Sequence, residues 1–280
     1  MPSLLVKPLG HSNTRGEIVR IVQQEAGWDT ISLRVIRLDA GGRHIVRLPG
    51  EELVCVMLGG QASFAAGGER WEHVGGRSSV FAGMPQGLYL GVNTGVVEIE
   101  ALTPCEVAVC GARAEVHHPA RLIQPSDVEI EIRGGANATR QINHIVKPDF
   151  PADRILIVEV YTPSGNWSSY PPHKHDIHNP PGEVDLDEIY YYKITRPEGY
   201  AIQRVYTRDG RRDETLTVRD NEVVLIPDGY HPVVAAHGYD CYYLNVLAGS
   251  ARSMAASDDP DYAWVRQSWR DKDPRLPLVH

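Results

Sequence analysis

The chain has 280 residues, enough for one large core or two modules of ordinary size. It carries 28 basic against 36 acidic side chains, a formal net charge of −8, with no block of Lys or Arg. That balance argues against nucleic acid or an anionic membrane surface as partner, and it leaves an anionic small substrate dependent on a local positive pocket.

No apolar run approaches the roughly 20 residues that span a bilayer. The first ten residues hold a short apolar patch without the basic lead or small-residue cleavage site of a signal peptide. From there on, β-branched and aromatic residues alternating with polar ones predict short strands at 31–38, 53–58, 96–102, 155–161, 188–194, 200–207, 222–226 and 242–247. Gly, Pro, Asn and Asp separate them. Helix is expected only as a turn near Ala152 and in the tail 262–269. Many short strands with regular turn signals point to an all-β sandwich or barrel of the jelly-roll kind. Cys55, Cys105, Cys110 and Cys241 form no Cys-x-x-Cys pair and lie in or beside apolar β-type runs, so they read as buried reduced thiols.

The order of elements repeats. The first half has Gly-Gly-Arg-His at 41–44, then Glu51-Glu52 leading a strand, then Met84-Pro85-Gln86-Gly87-Leu88-Tyr89, then a strand from Val97. The second has Pro-Pro-His-Lys-His at 171–175, then Asp187-Glu188, then Ile226-Pro227-Asp228-Gly229-Tyr230-His231, then a strand from Tyr242. Two barrels are expected, residues 1–135 and 136–280, with the boundary in the loop-like stretch near Arg133-Gly134-Gly135. The shared Pro-x-Gly turn puts Tyr89 where the second copy has His231, and His44 stands alone where the second copy has two histidines. The chemistry is therefore expected in the second module.

His173-Lys174-His175 is the sharpest local signal, because residues two apart in an extended segment face the same way and both imidazoles can reach one ion. Glu188 opens a strand after the loop 176–187, and His231 follows the Pro-Asp-Gly-Tyr turn. Glu183 and Asp187 are rival carboxylates. Glu183 sits in Pro-Pro-Gly-Glu-Val, which reads as an exposed loop, and Asp187 would face away from Glu188. Three imidazoles and one carboxylate suit a single divalent zinc, manganese, iron, cobalt or nickel ion and leave room for substrate. Solvated loop histidines are the competing reading of any one piece; the four together, on an all-β background, favour the metal site.

These residues resemble a known family. Glu159-Val-Tyr-Thr-Pro-Ser-Gly-Asn-Trp-Ser-Ser-Tyr-Pro-Pro-His-Lys-His-Asp176 is similar to the signature of the 5-deoxy-glucuronate isomerases of myo-inositol breakdown. So are Asp187-Glu-Ile-Tyr-Tyr191, Gln203-Arg-Val-Tyr-Thr207, Ile226-Pro-Asp-Gly-Tyr-His-Pro-Val233 and Tyr239-Asp-Cys-Tyr-Tyr-Leu-Asn-Val-Leu-Ala-Gly249. Leu58-Gly-Gly60 and Arg133-Gly-Gly are the clearest early pieces. A more distant similarity links the chain to the 4-deoxy-L-threo-5-hexosulose-uronate isomerases of pectin breakdown.

The resemblance implies two tandem cupin (jelly-roll β-barrel) modules forming a bicupin, a cytoplasmic location, and metal-dependent conversion of 5-deoxy-D-glucuronate to 5-dehydro-2-deoxy-D-gluconate. Tyr192 stands where a histidine is expected, which bears on substrate detail. A metal-dependent cupin dioxygenase and a non-enzymatic sugar-binding cupin are the alternatives.

Aldose–ketose isomerisation moves a hydrogen between adjacent carbons through an enediolate, which a metal stabilises as a Lewis acid. A proton shuttle is also needed. By location Tyr190, Tyr192, Gln203 and Tyr242 are the candidates, with His178 close by, although barrel tyrosines are as often core. The substrate carboxylate needs a cation from among Lys174, Arg140 and Arg204; Gln203 and Arg204 must face opposite sides of their strand. The expected partner is a small acidic sugar, and exposed barrel edges with the Trp264 to Trp269 tail allow a homo-oligomer.

Overall fold

The computed structural model describes residues 3–10 and 16–280; the first two residues of the N-terminal stretch read above lie outside them. Among the described residues no helix is long and apolar enough to cross a membrane. The chain divides into two compact units. One comprises Pro8–Glu129 with Ile145–Leu156; the other comprises the chain up to Lys7, Ile130–His144 and Ile157–His280. The chain thus changes unit at four places, where the sequence reading draws one boundary at 135/136.

In the first unit, strands Arg121–Ile123, Gly87–Leu90, Glu51–Gly59, Cys105–Arg113, Ile31–Leu38 and Glu17–Ile21 form a six-stranded sheet in that order. Strands Arg43–Arg47, Val96–Ala101, Gln61–Ala66 and Glu69–Gly75 form a second, four-stranded sheet. Period-2 alternation turns Ile36, Leu53, Cys55, Met57, Val107 and Val109 of the first sheet toward Val46, Ala62, Phe64, Val97 and Ile99 of the second, and the core lies between the two layers. Glu52, one step out of register with that face, is wholly buried. Its carboxylate accepts hydrogen bonds from the Tyr89 hydroxyl (2.6 Å) and from the backbone N–H groups of Asp153 (2.9 Å), Arg154 (2.6 Å) and Ile155 (2.7 Å). The turn near Ala152 is consequently not helical: its backbone donors are spent on Glu52.

The second unit repeats the plan. Strands Leu5–Val6, Val223–Ile226, Leu186–Ile194, Cys241–Gly249, Leu156–Thr162, Arg140–Val146 and Glu129–Arg133 form a seven-stranded sheet. Facing it are Trp167–Ser168, Val233–Ala235, Ala201–Tyr206 and Asp213–Val218, and a two-stranded piece pairs His173–Lys174 with Ser257–Asp258. Val158, Val160, Tyr190, Tyr192, Val224 and Tyr243 pack against Ala201, Val205, Val218, Val233 and Ala235. All four cysteines are buried and free. The tail forms one short helix, Val265–Ser268; a second, Gln23–Ala26, has no strong signal in the sequence.

Strand registers correct the internal alignment. Glu51–Gly59 pairs along Cys105–Arg113 from Glu51 opposite Arg113, as Leu186–Ile194 pairs along Cys241–Gly249 from Leu186 opposite Gly249. Leu53, not Glu52, therefore matches Glu188. Leu53 faces Leu90 where Glu188 faces Ile226, so the loop 91–95 matches 227–231. Tyr89 is a strand residue with no counterpart role to His231, because the Pro-x-Gly turn precedes its strand in the first unit and follows the corresponding strand in the second. His44 is likewise no counterpart of the paired histidines: Val46, two residues on, already matches Ser168 by its pairing with Val97.

Candidate metal centre

His173 is held extended by pairing opposite Asp258, and the next residue but one, His175, faces the same side. Leu186 donates its N–H to the carbonyl of His175, and that histidine's Nδ1 lies 3.0 Å from the Leu186 carbonyl, so one backbone position fixes both the main chain and the ring. His231 follows Gly229, which adopts φ +89° at a point where a Cβ would come within 2.6 Å of the Tyr206 carbonyl oxygen. Only glycine fits that turn. Nδ1 of His231 sits 2.8 Å from the Gly229 carbonyl. A carbonyl can only accept, so both Nδ1 atoms carry the hydrogen, and both Nε2 atoms are the ligand atoms on offer.

One ligand nitrogen from each of His173, His175 and His231 lies within 4.8 Å of the others. Glu188 Oε2 completes the set at 3.0 Å from His175 Nε2 and 3.3 Å from His231 Nε2. The latter pair is within ion-pair range but not in hydrogen-bond geometry, and His231 Nε2 is buried with no hydrogen-bond partner among the described residues. A buried, unsatisfied imidazole nitrogen is costly unless a ligand takes it. The donor set fits a divalent ion on this ground. Asp176 ties the two halves of the cluster: its Oδ2 accepts the Gly229 N–H at 2.9 Å.

Burial and the mutual contacts of the cluster shift its titrations. Burial, then the neighbouring imidazoles of His231 and His175, push the His173 pKa well below its usual value, so this ring is neutral and ligand-competent. Burial opposes charge on His175, yet the hydrogen bond to Glu188 prevails and raises it. Glu188 is lowered: burial works against its charge, and the two histidines outweigh burial. A cation entering the site competes with the His175 proton for the same carboxylate-facing position.

The cluster opens into a cavity of about 140 Å³ lined by Arg133, Arg140, Leu186, Leu247, Met254 and Arg266 as well as His173, His175 and Glu188. Of the three cations expected at the substrate, Arg140 alone lines it. Lys174 is paired with Asp176 and, at 2.7 Å, with Glu183. Arg204 is bound in a fork to Asp213 (2.7 and 2.8 Å) and stacks on Tyr206, on the outer side of its strand. Glu183 is buried rather than loop-exposed, and it also accepts the N–H groups of Asp176 and Ile177. His178 bonds Ser250 at the surface.

None of the four residues considered for proton transfer lines the cavity. Tyr190 packs edge-on against His231 with ring centres 5.9 Å apart, and its hydroxyl meets Ser169. The Tyr192 hydroxyl donates to Gln203, whose amide reaches the His231 carbonyl. Tyr242 is on the other face of its strand and donates to Glu159 at 2.9 Å. Arg133 and Arg266 were not expected from sequence. Arg133 had a signal, in the Arg133-Gly-Gly piece, whereas Arg266 had none because its tail approaches the site only through tertiary folding.

Comparison with known proteins gives consistent matches. The model of the KduI/IolB family matches residues 4–265. A protein of Geobacillus kaustophilus (strain HTA426) named 5-deoxy-glucuronate isomerase is 45% identical over 267 residues, 95% of this chain and 96% of that one. The crystal structure of an IolB-like protein from Salmonella typhimurium LT2 superposes with a TM-score of 0.89 at 36% identity, covering 94% of this chain and 99% of that one. A Bacillus subtilis oxalate decarboxylase with Mn(II) centres matches with a TM-score of 0.62 at 14% identity over 92% of this chain and 80% of its own, a likeness of fold alone. The fold is thus the bicupin expected from the sequence.

Proposed function

The chain belongs to the KduI/IolB family, and from that premise we propose that it is a metal-dependent aldose–ketose isomerase converting 5-deoxy-D-glucuronate to 5-dehydro-2-deoxy-D-gluconate. The observation that carries the chemistry is the convergence of His173, His175, His231 and Glu188 on one side of a cavity whose other walls hold arginines. A divalent ion bound there supplies Lewis acidity to a carbonyl and its neighbouring hydroxyl. Zinc, manganese, iron, cobalt and nickel all suit three imidazoles and a carboxylate.

The chain's own part is positioning. The carbonyls of Leu186 and Gly229 fix the tautomers of His175 and His231, and Tyr190 packs beneath the His231 ring. Burial raises the Tyr190 and Tyr192 phenols well above their usual pKa. They stay protonated near neutral pH and serve as packing and hydrogen-bond donors rather than as bases. The reading places the chemistry in the second of two cupin modules, acting on a small sugar acid. Four buried free thiols fit a cytoplasmic setting.

The test combines elemental analysis of the purified protein with NMR of 5-deoxy-glucuronate incubated with it under argon. Expected are about one divalent ion per chain and ketose product without oxygen, with both lost in His231→Ala at unchanged circular dichroism. Turnover by a metal-free protein sinks the metal reading, and a requirement for oxygen sinks the isomerase reading.

A further inference from the structure

Beside the metal cluster stands a buried cation that, among the described residues, makes no ion pair with a carboxylate. Arg140, at the start of its strand, is 4% exposed and lines the cavity. Its Nη1 donates to the carbonyls of Ala138 and Tyr170, both at 3.3 Å, and its guanidinium lies 5.9 Å from the centre of the Trp269 ring. These are neutral partners, and among the described residues no carboxylate pairs with it. Burial brings this guanidinium down to about 10, still charged at neutral pH; Arg133 and Arg266 add repulsion, and the Glu131 carboxylate, which is bonded to Arg133 rather than to Arg140, offsets a smaller part of it. A buried charge without a counterion is expensive, and an anionic ligand relieves that cost.

Two further arginines share the wall. Arg133 is held by Glu131 (2.6 and 2.8 Å) and Arg266 by Asp258 (Nη2 at 2.7 Å). Each carries its own carboxylate, so each adds hydrogen-bond donors at little net charge. The imbalance rests on Arg140. A guanidinium fork matches a carboxylate in two parallel hydrogen bonds.

We propose that Arg140, flanked by Arg133 and Arg266, forms the carboxylate subsite that makes this cavity select sugar acids over neutral sugars. The assignment rests on reading the substrate as a sugar acid and specifies how that class is chosen. The tail segment bearing Arg266 and Trp269 is thereby part of the specificity wall: Ala136 donates its N–H to the Asp271 carbonyl at 2.7 Å, and Trp269 abuts Gly135 so closely that a Cβ there would lie 2.7 Å from it.

The test is calorimetric binding of D-glucuronate and of D-glucose to the metal-loaded protein, which is independent of turnover. The wild type is expected to prefer glucuronate. Arg140→Met is expected to weaken glucuronate on the order of 10²-fold, as for removal of one partner from a desolvated charge pair. It should leave glucose binding and metal content unchanged. Arg140→Lys should fall between, keeping charge without the fork. If Arg140→Met fails to fold, Arg266→Gln on the exposed tail is read instead, with about a 10-fold loss for glucuronate alone. Undiminished preference for glucuronate in the folded, metal-loaded variant overturns the subsite. Failure of the isomerase reading appears separately, as wild-type protein that binds 5-deoxy-glucuronate and returns it unchanged.

Discussion

His231 reaches the cluster from a turn that is paired through Tyr230 with Tyr206 and tied to the His173–His175 segment by one carboxylate. Asp176 accepts the Gly229 N–H at 2.9 Å, the Gly229 carbonyl faces His231 Nδ1, and Lys174 on the other side pairs with Asp176 and Glu183. The lysine between the two histidines is thus a brace, which explains why it is absent from the cavity wall. Groups that orient ligands typically account for 10–100-fold in metal affinity. Asp176→Asn is accordingly expected to weaken metal binding by about that factor at unchanged circular dichroism, read by titration against a competing chelator. Undiminished affinity would show that the 227–231 turn holds itself.

Among the elements, two carboxylates, the buried Glu52 and the partly buried Asp273, hold irregular segments in place. Glu52 gathers three backbone N–H groups of 153–155 and the Tyr89 hydroxyl. Glu52→Gln turns an NH₂ toward donors, leaving at least one backbone N–H unsatisfied, and should cost about 2–5 kcal/mol in urea denaturation. Tyr89→Phe should cost about 1 kcal/mol.

Asp273 pins the tail: Arg275, then the Arg275 N–H and Asn166, hold its carboxyl well below the usual carboxylate range. A carboxylate with a depressed folded pKa stabilises fully above its unfolded value of about 3.9, and that contribution is lost as pH falls through the folded value. Thermal midpoints of wild type and Asp273→Asn should therefore be well separated at pH 7. The gap should begin to close below about pH 4 and keep shrinking on further acidification. A gap that is constant with pH would show that the carboxylate charge contributes nothing.

For the whole molecule, the two units have the same two-sheet plan but different cores of charge. The first unit puts Leu53 and the loop 91–95 where the second puts Glu188 and 227–231, so on the proposed reading it is the second that gains stability from an ion. A ligand at a hundred times its Kd stabilises the folded state by about 2.7 kcal/mol. Chelation should lower the calorimetric transition of the second unit by several degrees while far-ultraviolet circular dichroism at 25 °C stays native, because neither apolar core contains the histidines. An unshifted transition would show that no ion is held.

The sequence by itself determined eight of the strands, the two-barrel plan and the His-x-His, Glu, His pattern, since alternation, turn residues and short spacings are local properties; strands such as Gln61–Ala66, Cys105–Arg113 and Arg140–Val146 emerged only in the structure. The tail helix and the strand Ile31–Leu38 were legible on the same ground. Long-range pairing decided the rest. A one-residue shift in register moved the counterpart of Glu188 from Glu52 to Leu53, a distinction that faint identity between repeats cannot make. Which arginine meets the cavity depended on segments far apart in the chain: Arg133 and Arg140 arrive from one side and Arg266 from the tail. Arg204, next to a conspicuous motif residue, turned outward with the pleat. Opposite charges cancel or fail to cancel only once the chain is folded, and the unpaired charge of Arg140 is a property of that folded arrangement.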